Sequence, residues 1–192
     1  MLVLILGLLV FLGTHSVRIF ADDWRARQIA RLGDERWKML HSLSAATGLA
    51  LIVWGFGLAR GEPQVLWQPP TALRHLAALL TLPAFILLTL PYLAGSRIKA
   101  AVGHPMVLGV AFWALAHLLC AGKAHDVILF GAFLIWSLAS FTAARRRDRL
   151  AGTTYPRGHW GRDAVAVAVG VLSWAAFAFY LHGRLIGVRP FG

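Results

Sequence analysis

Eight histidines are spread through this chain of 192 residues, and several of them lie inside or at the ends of apolar runs. His117 stands in the run WALAHLLC at 113 to 120, and His104 opens the same segment in GHPMVLG. His15 and His41 lie in two earlier apolar runs. A neutral imidazole brings a lone pair into lipid without bringing a charge, so histidine suits haem iron or another transition metal there. The pattern indicates an intramembrane metal or haem site.

The elements that must position these histidines are membrane helices. Apolar residues make up 58% of the chain and charged residues 14%, which is far from the balance of a soluble domain. A bilayer core of about 30 Å needs roughly 20 apolar residues per helix. Six windows meet that need, at 2–20, 39–59, 72–92, 105–121, 125–143 and 164–186. The sequence therefore predicts an all-α, integral membrane six-helix bundle in a single domain, 1–192.

The first window and the small residues refine this prediction. The first window has no basic n-region and no clear cleavage site, so we expect a retained helix rather than a signal peptide. Helix contacts in lipid favour small side chains. We expect the bundle to pack through Ala45, Gly48, Gly109, Gly131 and Gly170.

The net charge of +11 is distributed by loop. The loops 21–38, 93–104 and 144–163 carry thirteen Lys and Arg residues, against five on the alternate side. Because positive loops stay in the cytoplasm, this bias predicts that both termini are periplasmic. The basic residues build no continuous basic face, so the expected partner is the lipid bilayer and not nucleic acid. One cysteine, Cys120, excludes an intramolecular disulfide.

The histidines differ in their expected roles. His75, His125 and His182 lie at helix boundaries and are expected at the membrane interface. His41 and His104 each begin a helix and are open to either a structural or a ligand role. For His117 the ligand role leads, because it is expected well inside its helix with room for a flat ligand beside Ala114 and Ala121.

Several segments, taken in order, carry a family resemblance. They are FLGTHSVR at 11–18, GDERWKMLHSL at 33–43, RIKAAVGHPMVLG and FWALAHLL within 97–119, DVILFGAFLIW at 126–136, and the basic cluster ARRRDR. The chain resembles the NnrU family of bacterial membrane proteins, and more distantly the 15-cis-zeta-carotene isomerases. The matching pieces cover most of the chain.

The resemblance implies a place and a cofactor. NnrU-type proteins are associated with denitrification, that is, with nitrite and nitric oxide reduction in the bacterial inner membrane, so components of those reductases are implied partners. The isomerase relatives bind haem b. Their pattern places the two haem-ligating histidines at His15 and His117. It also places a ligand-switching cysteine at the position where this chain has Ala114, so thiolate switching at that position is absent here.

Depth in the membrane leaves other ligand pairs open. His15 is expected near the cytoplasmic end of the first helix, whereas His117 is expected far from the cytoplasmic end of the fourth helix. The two histidines would then differ in depth by roughly 12 Å along the membrane normal. His104 and His41 match the depth of His15 better and are the substitutes. Arg18, one turn from His15, is a candidate partner for a haem propionate, or else an ordinary helix-end arginine that reaches headgroups.

Other functions stay open beside a haem-dependent redox or nitric oxide role. One is a membrane isomerase like zeta-carotene isomerase. Another is an S-adenosylmethionine-dependent membrane methyltransferase, suggested by GHPMVLG, although Gly103 stands where that family has arginine and no glutamate follows residue 62. A third is a non-enzymatic assembly factor for nitrite or nitric oxide reductase. The sequence assigns no catalytic residue.

Overall fold

The computed structural model describes residues 1–191, and within them the chain is built of helices. They are α1 (Leu2–Phe20), α2 (Asp22–Leu32), α3 (Asp34–Gly61), α4 (Ala72–Thr89), α5 (Arg97–Val102), α6 (Pro105–Leu119), α7 (Ala124–Leu150), α8 (Trp160–Ala176) and α9 (His182–Ile186). A 3-10 turn, Leu90–Tyr92, extends α4. A π-helical turn, Phe177–Leu181, joins α8 to α9. The all-helical prediction is confirmed for this part of the chain.

Within residues 1–191, five helical segments are long and apolar enough to cross a membrane. They are Leu2–Phe20, Asp34–Gly61, Ala72–Tyr92, Ala124–Leu150 and Trp160–Ile186. The fourth predicted window, 105–121, corresponds to α6, which has only 15 residues. At 1.5 Å per residue it is about 22 Å long, short of the roughly 30 Å of a bilayer core.

A count of six helices is incomplete, because α2 and α5 are additional. The sequence of α2, DDWRARQIARL, alternates charge with a few apolar residues, so no apolar window marks it. In α5, Ser96 caps the helix by accepting a hydrogen bond from the backbone N–H of Lys99. Capping and amphipathic spacing, rather than hydropathy, are the signals of these two helices.

The two predicted helix boundaries that move outward most are the start of α3 and the end of α7. α3 begins at Asp34 instead of residue 39, directly after Gly33, whose φ of +84° breaks the chain direction. Asp34 and Glu35 in its first turn favour that start, since acidic side chains complement the helix dipole. α7 continues to Leu150 rather than ending at 143, because its arginine-rich end is a good helix former outside the apolar region.

The helices group into two compact units, and each unit draws on two stretches of the chain. The first unit contains Met1–Gln68 and Ala121–Ser140. Its buried core consists of Leu4, Leu8, Ile52 and Leu129. Here α1 and α3 approach with backbone against backbone: a Cβ on Gly48 would lie 2.6 Å from the backbone nitrogen of Phe11. The predicted packing role of Gly48 is confirmed.

The second unit contains Pro69–Cys120 and residues 141–191. Its core includes Leu87, Leu90 and Ala166. Gly109 and Gly170 both line close helix contacts against α4, since a Cβ on Gly170 would lie 2.7 Å from the Cα of Ile86. The expectation for Gly131, in the first unit, is wrong: a Cβ there would meet nothing within 4 Å, so this glycine mediates no helix contact.

Candidate functional site

His15 lies in α1 within a group of aromatic rings. Its Nδ1 is 2.7 Å from the carbonyl oxygen of Phe11, one turn earlier. The ring centroid of His41, in α3, is 5.2 Å away at an interplanar angle of 71°. Trp136, in α7, lies edge-on at 6.0 Å. The sequence-predicted ligand His15 and its substitute His41 are thus brought together in the first unit.

His117 has a similar local arrangement in the second unit. Its Nδ1 is 2.8 Å from the carbonyl oxygen of Trp113, again one turn earlier. His117 was expected well inside its helix. Because α6 ends at Leu119, it lies instead in the last turn. Ala114 beside it is fully buried, and Ala121 is nearly so.

His182 is the neighbour of His117 that the sequence did not single out. The two ring centroids are 6.3 Å apart, and the rings are inclined by 20°. The π-helical turn Phe177–Leu181 immediately precedes His182, and its Nδ1 lies 2.7 Å from the carbonyl oxygen of Val188. Such turns are frequent at functional sites. Nothing in hydropathy or spacing marks a π turn, so this pairing could not be found from the sequence.

These contacts define which nitrogen of each ring is protonated. A carbonyl oxygen can only accept, so Nδ1 donates in His15, in His117 and in His182. In the neutral ring the lone pair is then on Nε2. Metal-ligating histidines commonly have this arrangement, with the second nitrogen held by a carbonyl or a carboxylate.

His104 is engaged differently. Its Nε2 lies 2.8 Å from Oδ2 of Asp148, and the Tyr155 hydroxyl donates to the same oxygen at 2.7 Å. Gly103, with φ of +77°, leaves room for this cluster. A Cβ there would lie 3.1 Å from the Tyr155 hydroxyl and 2.8 Å from Nη1 of Arg145, which pairs with Asp148. Burial, followed by the bond to Asp148, raises the pKa of Tyr155.

The His104 cluster gives that residue a structural role. It ties the segment after α7 to the start of α6, and Asp148 and Tyr155 were missed because neither lies in an apolar run. His104 as a substitute haem ligand stays a prediction, but its Nε2 already has an anionic partner. Arg18, the predicted propionate partner, is exposed in the last turn of α1.

Two buried nitrogen atoms have no hydrogen-bond partner among residues 1–191, namely Nδ1 of His125 and Nε1 of Trp136. His125 was expected at the membrane interface, yet it is 2% exposed and packs edge-on against Phe56. Trp136 is the ring beside His15. A buried N–H donor without a partner destabilises the fold, so the unpaired Nε1 of Trp136 marks the space beside the predicted ligand His15 as a place where an acceptor could bind.

Cys120 directly follows α6. Its thiol hydrogen is directed at the carbonyl oxygen of Leu73, 3.5 Å away.

No group of three or more His, Cys, Asp or Glu within 1–191 is arranged to hold a bare metal ion. A haem iron needs only axial ligands from the protein. The predicted ligands His15 and His117 belong to different units, and their pairing stays a prediction.

Long apolar helices and histidines placed along them define a multi-pass helical membrane protein. The model of the NnrU protein family matches residues 3–190, nearly the whole chain and both units. The chain therefore belongs to the NnrU family. No curated protein and no solved structure matches it.

Proposed function

We propose that this NnrU-family protein binds one haem b through His15 and His117 and has a redox or nitric oxide-related role in denitrification. The observation that carries the proposal is the shared state of the two imidazoles. Each donates Nδ1–H to the carbonyl oxygen one turn earlier, at 2.7 Å for His15 and 2.8 Å for His117. Each therefore keeps its lone pair on Nε2, which is the form that binds iron.

Two further features fit a haem. The unpaired Nε1 of Trp136 lies beside His15, where a bound group with acceptor atoms would satisfy it. The donor set is all nitrogen and neutral, as an intramembrane site requires.

The chain's own residues would have distinct parts in such a site. Haem iron with two imidazole ligands supplies one-electron chemistry. The carbonyls of Phe11 and Trp113 fix the orientation of the two rings. Arg18, at the end of α1, offers a cation to a propionate carboxylate. His41 and His104 remain the substitute ligands.

We place the protein in the bacterial inner membrane with both termini in the periplasm. The charge bias of thirteen to five supports this orientation. α6 would form a short crossing preceded by α5 at the cytoplasmic face. Nitrite or nitric oxide reductase components are the proposed protein partners, as the family association implies.

The test is the visible spectrum of protein purified in detergent from haem-sufficient cells. We expect a Soret band that shifts on reduction with dithionite. His15→Ala and His117→Ala should each lose or alter that band while the protein still inserts and folds, and the double variant should be no worse than either, since both act on one site.

Control variants separate the ligand pairs. His75→Ala changes an exposed histidine and should leave the spectrum unchanged. His104→Ala and His41→Ala should also leave it intact if His15 pairs with His117. A wild-type spectrum and full haem content in His117→Ala would overturn the proposal, as would colourless wild-type protein.

A further inference from the structure

A cavity of about 350 Å³ opens in the first unit where α1, α2 and the start of α3 meet. Its volume is within the range of small-molecule sites, about 300–1,000 Å³. The indole rings of Trp24 and Trp37 form part of its wall, 5.8 Å apart and inclined by 71°. The lining residues are Thr14, Val17, Trp24, Gln28, Leu32, Trp37, Leu40, His41 and Ser44.

None of these lining residues is Lys, Arg, Asp or Glu. The nearby Arg25 is paired with Asp22 at 3.6 Å. An anionic lipid headgroup would find no cation in the lining to balance its charge, so the lining favours a neutral ligand. The indole rings and the leucines favour one that is lipophilic and flat.

Hydrogen bonds give the polar side of the cavity a direction. The Thr14 hydroxyl donates its one hydrogen to the carbonyl oxygen of Val10 at 2.7 Å. The 2.7 Å contact between Thr14 and Ser44 must therefore be donated by Ser44. Both hydroxyl hydrogens are used, and what Ser44 offers the cavity is an acceptor. The matching ligand group is a hydroxyl that donates, not a carbonyl.

We propose that this cavity binds a quinol or a related lipophilic phenol. The aromatic ring lies against Trp24 and Trp37, and its hydroxyl donates to the hydroxyl oxygen of Ser44. This goes beyond the proposed haem site and does not require it. His41 lies 5.2 Å from His15, so a haem held by His15 would have the bound ring as a neighbour.

The probe is 2-heptyl-4-hydroxyquinoline N-oxide, a fluorescent aromatic hydroxyl compound with an alkyl tail. Titration of the purified full-length chain in nanodiscs should show saturable quenching at one site, with displacement by ubiquinol-1. Ser44→Ala and Trp37→Leu should each raise the dissociation constant by about tenfold, the effect of one hydrogen bond or one ring contact.

Matched controls lie on the same helix. Ser42→Ala and Trp54→Leu change exposed residues outside the cavity and should leave binding unchanged. Circular dichroism checks that each variant folds. Any of three results would overturn the proposal. The probe does not bind saturably, or Ser44→Ala binds it as tightly as Ser42→Ala does. The third is that phosphatidylglycerol displaces the probe as effectively as ubiquinol-1 does.

One variant separates this proposal from the haem proposal. His15→Ala removes a proposed iron ligand but no residue that lines the cavity. It should lose the Soret band and still bind the probe. Colourless wild-type protein that binds the probe would refute the haem proposal alone, and haem-loaded protein that does not bind it would refute the cavity alone.

Discussion

The contact between α1 and α3 positions both His15 and His41, and it depends on Gly55. A Cβ built on Gly55 would lie 2.3 Å from the backbone nitrogen of Leu4 and 2.6 Å from its Cα, where ordinary contact begins near 3.4 Å. Because the obstructing atoms are backbone, no side-chain rotation can relieve the clash. Gly55→Ala therefore forces the two helices apart by about 1 Å, and a gap of that size loses a quarter to a half of each affected dispersion contact.

The expected magnitude follows from two opposed effects. Overpacking a tight contact costs about 1–3 kcal/mol. Alanine is a better helix former than glycine by about 1 kcal/mol, which offsets part of that cost. Gly57→Ala is the matched control, since Gly57 is exposed in the same helix and a Cβ there meets nothing within 4 Å. The difference between the two variants isolates the close approach, at about 1–3 kcal/mol.

The assay is unfolding in mixed micelles with increasing sodium dodecyl sulfate, followed by tryptophan fluorescence. Gly57→Ala should match or exceed the wild-type midpoint, and Gly55→Ala should unfold earlier. Gly55→Ala should also weaken probe binding in the cavity, because α1 and α3 supply several of its walls. Equal midpoints for the two variants would show that the helices do not approach through Gly55.

Two other predictions concern the ends of the helices. Asp148→Asn removes the charge shared by His104 and Tyr155, so trypsin should cleave the segment 151–159 severalfold faster at Arg157. The control variant Asp23→Asn changes an exposed carboxylate and should not change that rate. For topology, a reporter fused after residue 150 should report the cytoplasm and one at the C-terminus the periplasm. Reversed signals at both positions would contradict this orientation, and they are the result expected if α6 is too short to cross. Matching signals would show that the last helix does not cross.

Hydropathy predicted the long helices well, because a membrane segment must hide its backbone polar groups and therefore appears as an apolar run. The first window, 2–20, coincides with α1. The same reasoning could not find α2, whose fold depends on an amphipathic face and on acidic residues in its first turn. Hydropathy also could not show that α6 is shorter than a full membrane span, because an apolar run does not reveal the residue at which the helix ends.

The candidate site was harder to predict than the fold, because it depends on which helix faces meet. Sequence order identified His15, His41, His104 and His117 but not their neighbours, and Asp148 and Trp37 entered only through tertiary contacts. Gly55 shows the same limit. Its spacing of seven residues from Gly48 places both on one face of α3, yet only the meeting with α1 shows that a single methyl group there would separate the helices.

The π turn at Phe177–Leu181 links this limit to function. One extra residue per turn rotates everything after it, so the side chain of His182 is aimed differently from that of an uninterrupted helix. Its ring then lies 6.3 Å from that of His117, with its own Nδ1 held by the carbonyl of Val188. If haem is held at His117, the spectrum of His182→Ala should differ from that of His75→Ala, because only His182 is next to the ligand. Identical spectra would show that the π turn serves helix packing alone.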